Sequence, residues 1–578
     1  MKKFVSMLLA LCMLLTMAAV PAYAAVTDGV YTASAAGNND AVTVEVTFSG
    51  AAITDVKVVA HAETPGLSDP AIERVPAAIV AGNTLAVDTV GGATVTSKAI
   101  IAAVEDAIKQ AGGDPADYQT AAASGNAEKA HVEMEADVVV IGGGGAGLSA
   151  AIEASAKGAS VILLEKMAYL GGNTAISGGL VPSAGTKMQA EAGIEDSPEK
   201  YAADIIAYNG GTGDPVLINV AAKEAQDLVP WFESIGAEFV GIIPFAGHSV
   251  DRLHQEKQLS GAGLVKTLEA AARSNGVEIL METKGNEIVT NEEGAICAVK
   301  ATKVDGTELT INTKAVVLGT GGFASNKEML AAYIPEMVDA GVVGHPGNTG
   351  DGIAMGLSLG AGLAYEDSYS SHAACNPEAT LLITWESLTR GGILVNEKAE
   401  RFTDETLGYV KNSPIVAAEE RVHIIVDDYL REIVPKLPSY DHVTIKAHGV
   451  EELAAAINVD AAALRATIEE YNAGVEAGVD KFGRSMLGKP LDIDGNLYAI
   501  HVETFMLFTT GGLAIDTSAR VLTPEGEVIP GLYAAGETAG TSVGGHGYTG
   551  YITGHGLLAA LTFGRIAGRD VADFVAGK

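Results

Sequence analysis

Cysteine is scarce in this chain of 578 residues. Of its three cysteines, Cys12 lies in an apolar N-terminal run, while Cys297 and Cys375 stand alone in the sequence. The CxxCH motif for haem attachment, the CxxC pair and the spacings of iron–sulfur ligands are all absent. The histidines are scattered, and no pair of them has metal-ligand spacing. Any redox chemistry is therefore expected to use an organic cofactor, and we assign no metal.

Long apolar runs and positive charge are also lacking. After the first twenty or so residues, no segment is apolar for long enough to span a bilayer. The chain has 37 Lys and Arg against 72 Asp and Glu, so its net charge is −35. This charge argues against nucleic-acid binding. With 48% hydrophobic residues, the chain is expected to be globular and to form several domains with large buried cores.

The N-terminus has the pattern of a secretory signal peptide. It begins MKK, continues through an apolar stretch to about Val20, and ends in small residues at Ala24. We expect cleavage after residue 24 and a secreted or extracytoplasmic protein, free or associated with the cell surface. A single-pass anchor is the alternative. Leu11 precedes Cys12, where a lipoprotein signal would need a small residue, so a lipid anchor is not expected.

Three blocks follow the signal segment. Residues 25–113 combine short alternating strands with helical patterns, which predicts a small α+β domain. The strand patterns lie at 41–48 and 53–60, and the helical patterns lie at about 71–81 and 97–110. Residues 114–134 are rich in Ala, Ser, Gly, Asn and charge, which is typical of a linker. From residue 135, continuous apolar strands alternate with helices, which predicts an α/β fold with a buried parallel sheet.

The segment VVVIGGGGAGLSAA predicts a dinucleotide site. Gly142, Gly144 and Gly147 stand in GxGxxG register between a predicted strand and a predicted helix. In that motif the first glycine permits a tight turn, the second lets the backbone approach a pyrophosphate, and the third allows close helix–strand packing. Glu165 ends the next strand, where a carboxylate can accept the ribose hydroxyls. A lone GxGxxG also occurs as a simple glycine turn, but here strand, helix and acid are all in place.

Four further segments resemble the fumarate reductase and succinate dehydrogenase flavoprotein superfamily. They are GGNTAISGG, VVLGTGGFASN, GNTGDGIAMGLSLGAG and PGLYAAGETAG, in the order of that family. The resemblance implies a Rossmann-like FAD-binding domain in two parts, 135–365 and 501–578. Between them it implies an inserted α+β capping domain at 366–500, which contains GGILVNEKAERFTDE.

The same resemblance identifies the cofactor as FAD. Membrane-bound members carry a histidine near GGNT that bonds covalently to FAD, and this chain has none there, so its FAD is expected to be non-covalent. The residues implied at or near FAD are Gly142, Gly144, Ala146, Gly147, Glu165, Lys166, Asn173, Thr174, Gly178, Gly179, Asp351 and Glu537.

The catalytic region departs from the dicarboxylate-reducing members of the superfamily. In those enzymes an arginine a few residues after an RFxxE segment donates the proton, and further His and Arg residues hold the substrate carboxylates. Here Tyr409 follows RFTDE at that place, FMLFTT stands where the family has a histidine, and GGHGYTGYITG replaces an Asn-Arg-Leu-Gly-Gly type of sequence. A pocket without those arginines leaves two carboxylates poorly neutralised.

These departures resemble the ketosteroid dehydrogenases of the same superfamily. There a tyrosine follows the RFxxE segment, and a GHxYxG segment supplies a second tyrosine that hydrogen-bonds a ketone. The resemblance implies Tyr409 as the catalytic proton donor and Tyr548 as the group that polarises the carbonyl. A tyrosine, with an ordinary pKa near 10, can do both without carrying charge. The alternatives are that Tyr409 simply packs in the cap and that Tyr548 lies beside the flavin. Arg390 could contact the substrate from the cap, or it could be an ordinary surface or core-pairing residue.

The first block resembles the FMN-binding domain of exported respiratory flavoproteins. In that family a transferase attaches FMN through a phosphodiester to the threonine of an Asp-x-x-(Ser/Thr/Gly)-Gly-Ala-Thr segment. Here VDTVGGAT implies covalent FMN at Thr94. A plain glycine turn followed by a helix cap is the alternative. With FMN at Thr94, Thr96 and Ser97 are expected to provide the cap.

Together these features predict an extracytoplasmic flavin-dependent reductase. Hydride would pass from FAD to the activated C=C bond of an enone or unsaturated acid that serves as a respiratory electron acceptor, and electrons would enter through FMN. The implied partners are a small unsaturated substrate, a flavin transferase and a membrane-linked or extracytoplasmic electron donor, with no nucleic acid. The alternatives are a urocanate- or fumarate-type carboxylate reductase, a ketosteroid-type dehydrogenase, and an exported flavin electron carrier without catalysis.

Overall fold

The chain divides into two compact units, and the boundary follows Glu128. The computed structural model describes residues 26–38, 40–63, 67–119, 130–245, 247–541 and 544–578. The predicted signal peptide, residues 1–24, lies outside these described residues. Within them, every helix is either too short or too polar to cross a bilayer.

The first unit is a three-stranded antiparallel sheet covered by two helices. Its strands are β1 (Gly29–Ala36), β2 (Ala41–Ser49) and β3 (Ala52–Ala60), paired in sequence order, and its helices are α1 (Asp69–Gly82) and α2 (Thr94–Gln110). Alternate residues of β2 are fully buried, and α2 packs against β1 and β2 through Ile100, Val104 and Ile108. These three residues are four apart, so they lie on one face of the helix. The small α+β domain expected from the periodicity is therefore present.

The second unit contains twenty-two described strands and fifteen described α-helices. Its strands are β4 (His131–Glu135), β5 (Val138–Ile141), β6 (Val161–Leu164), β7 (Leu180–Pro182), β8 (Phe239–Ile243), β9 (Leu253–Glu256), β10 (Glu278–Leu280), β11 (Thr283–Thr290), β12 (Ile296–Lys303), β13 (Glu308–Asn312), β14 (Ala315–Leu318), β15 (Gly341–Val342), β16 (Leu363–Ala364), β17 (Tyr369–Asn376), β18 (Leu381–Leu382), β19 (Ile393–Asn396), β20 (Val422–Asp427), β21 (Thr444–His448), β22 (Asn496–Thr509), β23 (Gly512–Leu513), β24 (Arg520–Leu522) and β25 (Val528–Ala534). Its α-helices are α3 (Gly145–Ala156), α4 (Gly172–Ile176), α5 (Lys187–Glu191), α6 (Pro198–Tyr208), α7 (Pro215–Ala225), α8 (Leu228–Ser234), α9 (Gly261–Ser274), α10 (Lys327–Tyr333), α11 (Asp351–Ser358), α12 (Glu386–Thr389), α13 (Tyr409–Ala417), α14 (Asp428–Ile433), α15 (Gly449–Ile457), α16 (Ala461–Ala477) and α17 (His555–Val575).

A six-stranded sheet forms the first core of this unit. The strand order is β10-β6-β5-β14-β25-β24, with every pair parallel except β24 with β25. Each residue of β5, β6 and β14 is buried, because helices and a second sheet cover both faces. The chain leaves β5 through α3 and returns as β6, whereas β14 joins the other side of β5. This reversal of strand order opens a crevice at the carboxyl ends of β5 and β14.

The segment predicted as a linker, residues 114–134, is structured at both ends. Residues Pro115–Tyr118 form a 3-10 helix in the first unit, where the Tyr118 hydroxyl donates to the carbonyl of Ala51 (2.8 Å). At the other end, β4 pairs in parallel with β13. HVEME alternates polar and apolar residues but has only two apolar positions, and most of β4 is exposed at the edge of its sheet, so the linker prediction missed this strand.

A separate core lies within residues 373–502, close to the range 366–500 predicted for the cap. Its sheet has the order β18-β17-β22-β20-β19, and β15 and β21 also pair with β22. β22 is the central strand and extends from Asn496 to Thr509, past the expected domain boundary at residue 500. The cap therefore continues into the second part of the FAD-binding domain through one unbroken strand.

Buried charge lies within the cap. Glu405 accepts hydrogen bonds from Arg401 Nη2 (2.7 Å) and Arg484 Nη1 (3.2 Å), and from the backbone N–H of Leu394 (3.0 Å). Arg401 also pairs with Asp480 (2.7 Å). The side chains of Glu405 and Arg484 are fully buried. Arg401 is thus a structural charge.

The buried glutamate supplies a stability prediction. Glu405→Gln keeps the shape of the side chain but leaves two buried guanidinium groups with only Asp480 to balance them. We expect a loss of about 3–5 kcal/mol in the free energy of unfolding, measured by urea denaturation. The control is Glu386→Gln, which breaks an exposed pair with Arg390 and should cost about 0.5 kcal/mol or less. Equal losses for both variants would contradict this account.

Candidate active site

The glycine-rich turn after β5 is shaped by close backbone contacts. Gly142 has φ +106°, and a Cβ at Gly147 would lie 1.9 Å from the carbonyl oxygen of Gly142. At Gly144 the nearest atom to such a Cβ would be 3.7 Å away, so this backbone faces open space. Ala146 is buried in the first turn of α3. Gly147 thus has the close helix–strand packing expected of the third glycine, and Gly144 has the open approach to a pyrophosphate expected of the second.

Glu165 lies directly beside that turn. Its Oε2 accepts from the N–H of Gly143 (2.8 Å) and its Oε1 from the N–H of Met167 (2.7 Å). Burial raises the pKa of Glu165, although both backbone donors oppose the shift. The structure thus brings Glu165 to the turn, where its remaining lone pairs are free to accept further hydrogen bonds.

Lys166 points away from Glu165 and towards Asp351. Its Nζ donates to Asp351 Oδ2 (2.7 Å) and to Thr349 Oγ1 (2.6 Å), and Lys284 Nζ lies 3.3 Å from the other oxygen of Asp351. Burial alone would raise the pKa of Asp351, but the hydrogen bond and charge of Lys166 lower it. These residues, far apart in sequence, form one ion-paired group.

Asn173 and Glu537 form a second buried polar group. Asn173 Nδ2 donates to both carboxylate oxygens of Glu537 (2.9 and 2.8 Å), and Asn173 Oδ1 accepts from the N–H of His345 (2.8 Å). Burial raises the pKa of Glu537 to about 7, because its hydrogen-bond donors only partly offset the loss of water.

Thr174, Gly178 and Gly179 lie around the same end of the sheet. Thr174 Oγ1 accepts from the N–H of Gly145 (3.2 Å), at the start of α3. Gly179 has φ +67°, and a Cβ there would lie 2.5 Å from the backbone of Ser260. Gly178 has open space around it, with its nearest neighbour 3.9 Å from such a Cβ. The two glycines let the chain pass close to the start of α9 without obstructing the crevice.

Unpaired donors near Glu537 show that this region suits a polar cofactor. Among the described residues, Asn348 Nδ2 and His345 Nε2 are buried and lack a hydrogen-bond partner. A Cβ at Gly321 would lie 2.3 Å from Asn348 Oδ1 and 3.8 Å from Glu537 Oε2, so these side chains are neighbours. Buried unpaired donors are costly, and an acceptor-rich ligand removes that cost. The residues present therefore fit FAD.

Tyr409 is the first residue of α13, and its ring stacks on His372. The ring centroids are 4.5 Å apart with 18° between the planes, and the Tyr409 hydroxyl lies 3.4 Å from Thr553 Oγ1. Burial raises the pKa of Tyr409, opposed by the hydrogen bond with Thr553. Burial lowers the pKa of His372 to about 3, so this imidazole is neutral. Trp385 packs edge-on against His372 (5.9 Å) and supports it from behind.

Four tyrosines gather around this point: Tyr208, Tyr409, Tyr548 and Tyr551, hereafter the tyrosine group. Tyr409 and Tyr548 pack together around Val410 and Tyr551. Burial raises the pKa of Tyr208 to about 12 and that of Tyr551 further, and in each case nearby Tyr409 adds to the shift. The two tyrosines expected from the sequence are therefore brought together by the fold.

A cavity of about 370 Å³ opens beside the tyrosine group. It is lined by residues 208–210, by Val410 and Lys411 of α13, and by Tyr548 and Thr549. Its walls come from the end of α6, the cap helix α13 and the segment before α17. Its volume is at the low end of the range for small-molecule sites, and its lining combines apolar surface with the polar groups of Tyr, Asn, Lys and Thr side chains.

Several residues of this site were missed in the sequence. His372 was noted only as a scattered histidine, and nothing in the sequence near Tyr208 or Thr553 marked either of them. Tyr551 lies in the GGHGYTGYITG segment and could have been proposed alongside Tyr548. Arg390 is not brought to the cavity, because it pairs with Glu386 at the surface. No group of three or more His, Cys, Asp or Glu suited to a metal occurs in the described ranges.

Thr94 lies in the first unit, at the exposed start of α2. Gly92 before it has φ +80°, and the Thr94 side chain faces solvent. An accessible hydroxyl at the N-terminus of a 17-residue helix suits a phosphate, because the free N–H groups and the helix dipole attract anions. The residues present therefore fit FMN.

Thr96 and Ser97 do not provide the helix cap that we expected. The helix begins at Thr94, with Ala93 at the N-cap and no side-chain capping bond. Both side chains face inward: the Ser97 hydroxyl accepts from the N–H of Val90 (3.0 Å) and donates to the carbonyl of Ala93 (2.8 Å), and the Thr96 hydroxyl donates to Glu63. These buried hydrogen bonds hold the turn before α2 in place, while the Thr94 side chain remains exposed to solvent.

Comparisons with known proteins agree with this arrangement. A family model described as an FAD binding domain matches residues 137–550, and one described as an FMN-binding domain matches residues 37–109. The chain is 33% identical over 445 residues to a fumarate reductase (cytochrome) of Shewanella frigidimarina, covering 76% of this chain and 77% of that protein. It is 31% identical over 573 residues to a urocanate reductase of Eggerthella lenta, covering 94% and 92%.

A solved structure supports the same comparison. The 3-ketosteroid-Δ4-(5α)-dehydrogenase of Rhodococcus jostii RHA1, in complex with 4-androstene-3,17-dione, is similar with a TM-score of 0.63 and 28% identity. The match covers 78% of this chain and 99% of that chain.

The glycine turn allows folding and cofactor binding to be separated. Gly147→Ala would force a methyl group into the backbone of Gly142 and should lower stability by about 1–3 kcal/mol. Gly144→Ala meets no close atom, so it should leave the urea midpoint of the apoprotein nearly unchanged. It should nevertheless weaken FAD binding at least tenfold, because the methyl group lies where the pyrophosphate approaches. FAD titration of both apoproteins measures this, and wild-type affinity in Gly144→Ala would refute the assigned role.

Proposed function

Because this chain belongs to the fumarate reductase and succinate dehydrogenase flavoprotein superfamily and carries an FMN-binding domain, we propose that it is an extracytoplasmic reductase of activated C=C bonds. Its relatives are flavin-dependent reductases, and it is itself an oxidoreductase acting on such bonds. The finer proposal covers the substrate class, the acid, the electron entry site and the location.

The enclosed hydroxyl of Tyr409 carries the proposal. Reduction of a C=C bond conjugated to a carbonyl needs a hydride at one carbon, a proton at the other, and stabilisation of negative charge on the oxygen. FAD, when bound, supplies the hydride. A tyrosine is protonated at neutral pH, and burial raises the pKa of Tyr409 further, so its hydroxyl carries the proton that is to be donated.

Neighbouring residues fix the acid in place. Thr553 Oγ1 lies 3.4 Å from the Tyr409 hydroxyl and limits its rotation, while the stacked His372 holds the ring. His372 Nδ1 accepts from the N–H of Ala374 (3.1 Å), so the ring hydrogen of this neutral imidazole is on Nε2. Tyr548, at the cavity wall, is the proposed donor to the substrate carbonyl. The proposed substrate is an enone or an α,β-unsaturated acid.

Electron entry is proposed at Thr94. A transferase would attach FMN to this exposed hydroxyl, and a membrane-linked or extracytoplasmic donor would reduce it. The N-terminal pattern of residues 1–24 supports export, and the sequence has no haem motif that could accept the electrons instead. We propose that the substrate is a terminal acceptor of anaerobic respiration.

The acid assignment predicts a large loss of turnover in Tyr409→Phe. The variant lacks the proton donor but keeps the ring that stacks on His372, so kcat should fall at least about a hundredfold. The measurement is anaerobic oxidation of a reduced viologen by the flavinylated protein with a panel of unsaturated acids, enones and steroids. Tyr498→Phe removes a hydroxyl that bonds Asp428 in the cap and should keep full activity.

Three outcomes would contradict parts of the proposal. Full turnover in Tyr409→Phe removes the acid assignment. Absence of viologen oxidation with every compound favours an electron carrier, and steroid oxidation with an artificial acceptor in place of reduction favours a dehydrogenase.

The attachment site predicts a single modified residue. Protein from its native host should carry the mass of one FMN less water on the peptide that contains Thr94. Thr94→Val should abolish this increase, while Thr89→Val, an exposed threonine in the same turn, should retain it. Mass spectrometry of the digested protein decides the matter, and an unmodified wild-type peptide would refute FMN entry at Thr94.

A further inference from the structure

The cavity beside the tyrosine group contains one charged side chain. Among the described residues that line it, Lys411 is the only ionisable group other than tyrosine. Lys411 follows Val410 on α13, two residues after the proposed acid. A charged group at the wall of an otherwise uncharged cavity is a natural determinant of which ligands enter it.

The ammonium group of Lys411 is held over an aromatic ring. Its Nζ lies 4.9 Å from the centroid of the Tyr208 ring, within the range of a cation–π contact. In the part of the chain that the structure describes, no carboxylate lies within ion-pair distance of Lys411. Lys411 is an exposed residue whose ammonium group lies beside the cavity lining, so its positive charge is available to a ligand there.

Arginines are engaged elsewhere in the second unit. Arg252 is buried between Asp196 and Asp204, and Arg401 and Arg484 are bound to Glu405. No arginine is among the described residues of the cavity wall. A ligand with two carboxylates would therefore place one of them against tyrosine rings and Val410 without a cation, which is unfavourable.

We propose that Lys411 binds the single carboxylate of a monoanionic 2-enoate whose neutral substituent packs against Val410 and the tyrosine rings. This rests on the proposed reduction, whose carbonyl donor Tyr548 lines the cavity and whose acid Tyr409 adjoins it through Val410, and it adds the charge of the substrate. The volume of about 370 Å³ is at the low end for small-molecule sites, which suits an acid with one ring or a short chain. Lys411 is thus a determinant of specificity that separates monoacids from diacids and from uncharged enones.

Matched ligands test the charge directly. The probes are 3-phenylprop-2-enoate, its methyl ester and fumarate, added to the oxidised holoenzyme, with dissociation constants from the change in flavin absorbance. Wild-type protein should bind the monoacid more tightly than the ester or fumarate. Lys411→Met should weaken binding of the acid about tenfold and leave the ester unchanged, because only the acid loses a charge partner. Lys489→Met, which removes a lysine 4.0 Å from the Tyr429 ring outside the cavity lining, is the control and should change neither.

The same variants in the viologen assay separate this inference from the proposed function. Reduction of the acid with a higher KM and unchanged kcat in Lys411→Met supports both. Lys411-dependent binding without any reduction supports the carboxylate site and refutes the reductase. Equal affinities for acid and ester in the wild type, equal losses for both in Lys411→Met, or tighter binding of fumarate would overturn the inference while leaving the reductase proposal intact.

Discussion

The close approach of backbone segments at the carboxyl ends of β5 and β14 is the constraint on which the cofactor region depends. Gly147 packs directly against the carbonyl of Gly142, and a Cβ at Gly142 would lie 2.3 Å from the carbonyl oxygen of Gly319. Backbone atoms occupy the positions that side chains at these glycines would need. The start of α3, with its free N–H groups, therefore lies at the crevice. Glu165 follows β6 and Glu537 follows β25, so both lie at the carboxyl edge of the sheet, where Asn173 of α4 bonds Glu537.

The cap carries the residues that we propose act on the substrate. Its helix α13 carries Tyr409 and Lys411, while its strand β17 carries His372. The buried ion pairs of Glu405 anchor the segment that immediately precedes α13, so the position of the acid depends on a charge network several residues away. Burial raises the pKa of Tyr208, Tyr409 and Tyr551, so these hydroxyls stay uncharged beside the cavity.

Local pattern was enough to predict part of this protein. The βαβ unit from Val138 to Leu164 followed from apolar runs and glycine spacing, because a buried parallel strand and a phosphate-binding turn each have a short-range signature. The strand and helix patterns of the first unit were equally local. The prediction that Thr96 and Ser97 cap the helix was wrong. Their hydroxyls bond partners inside the domain, and the tendency of Ser and Thr to hydrogen-bond nearby groups does not show whether the partner is a helix end or the interior.

The rest of the site depends on contacts between distant segments. His372 lies 37 residues before Tyr409 and Thr553 lies 144 residues after it, and neither has a local pattern that indicates the tyrosine. The Lys166–Asp351 pair likewise joins residues 185 apart, although each was placed near FAD by resemblance. Family motifs pointed to residues that the fold brings together at the predicted cofactor region, whereas the predicted substrate region departs from those motifs, and its neighbours were seen only in the folded chain.

The long strand β22 affects how this architecture can change. Its first half is the centre of the cap sheet, where β20 and β21 pair with it, and its second half pairs with β15 and β17. A cap exchanged between relatives at residue 500 would sever this strand in mid-sheet, so a chimaera needs its junction after Thr509. Recombination of substrate specificities is therefore restricted to exchanges that carry the whole strand, while point changes on α13 remain unrestricted.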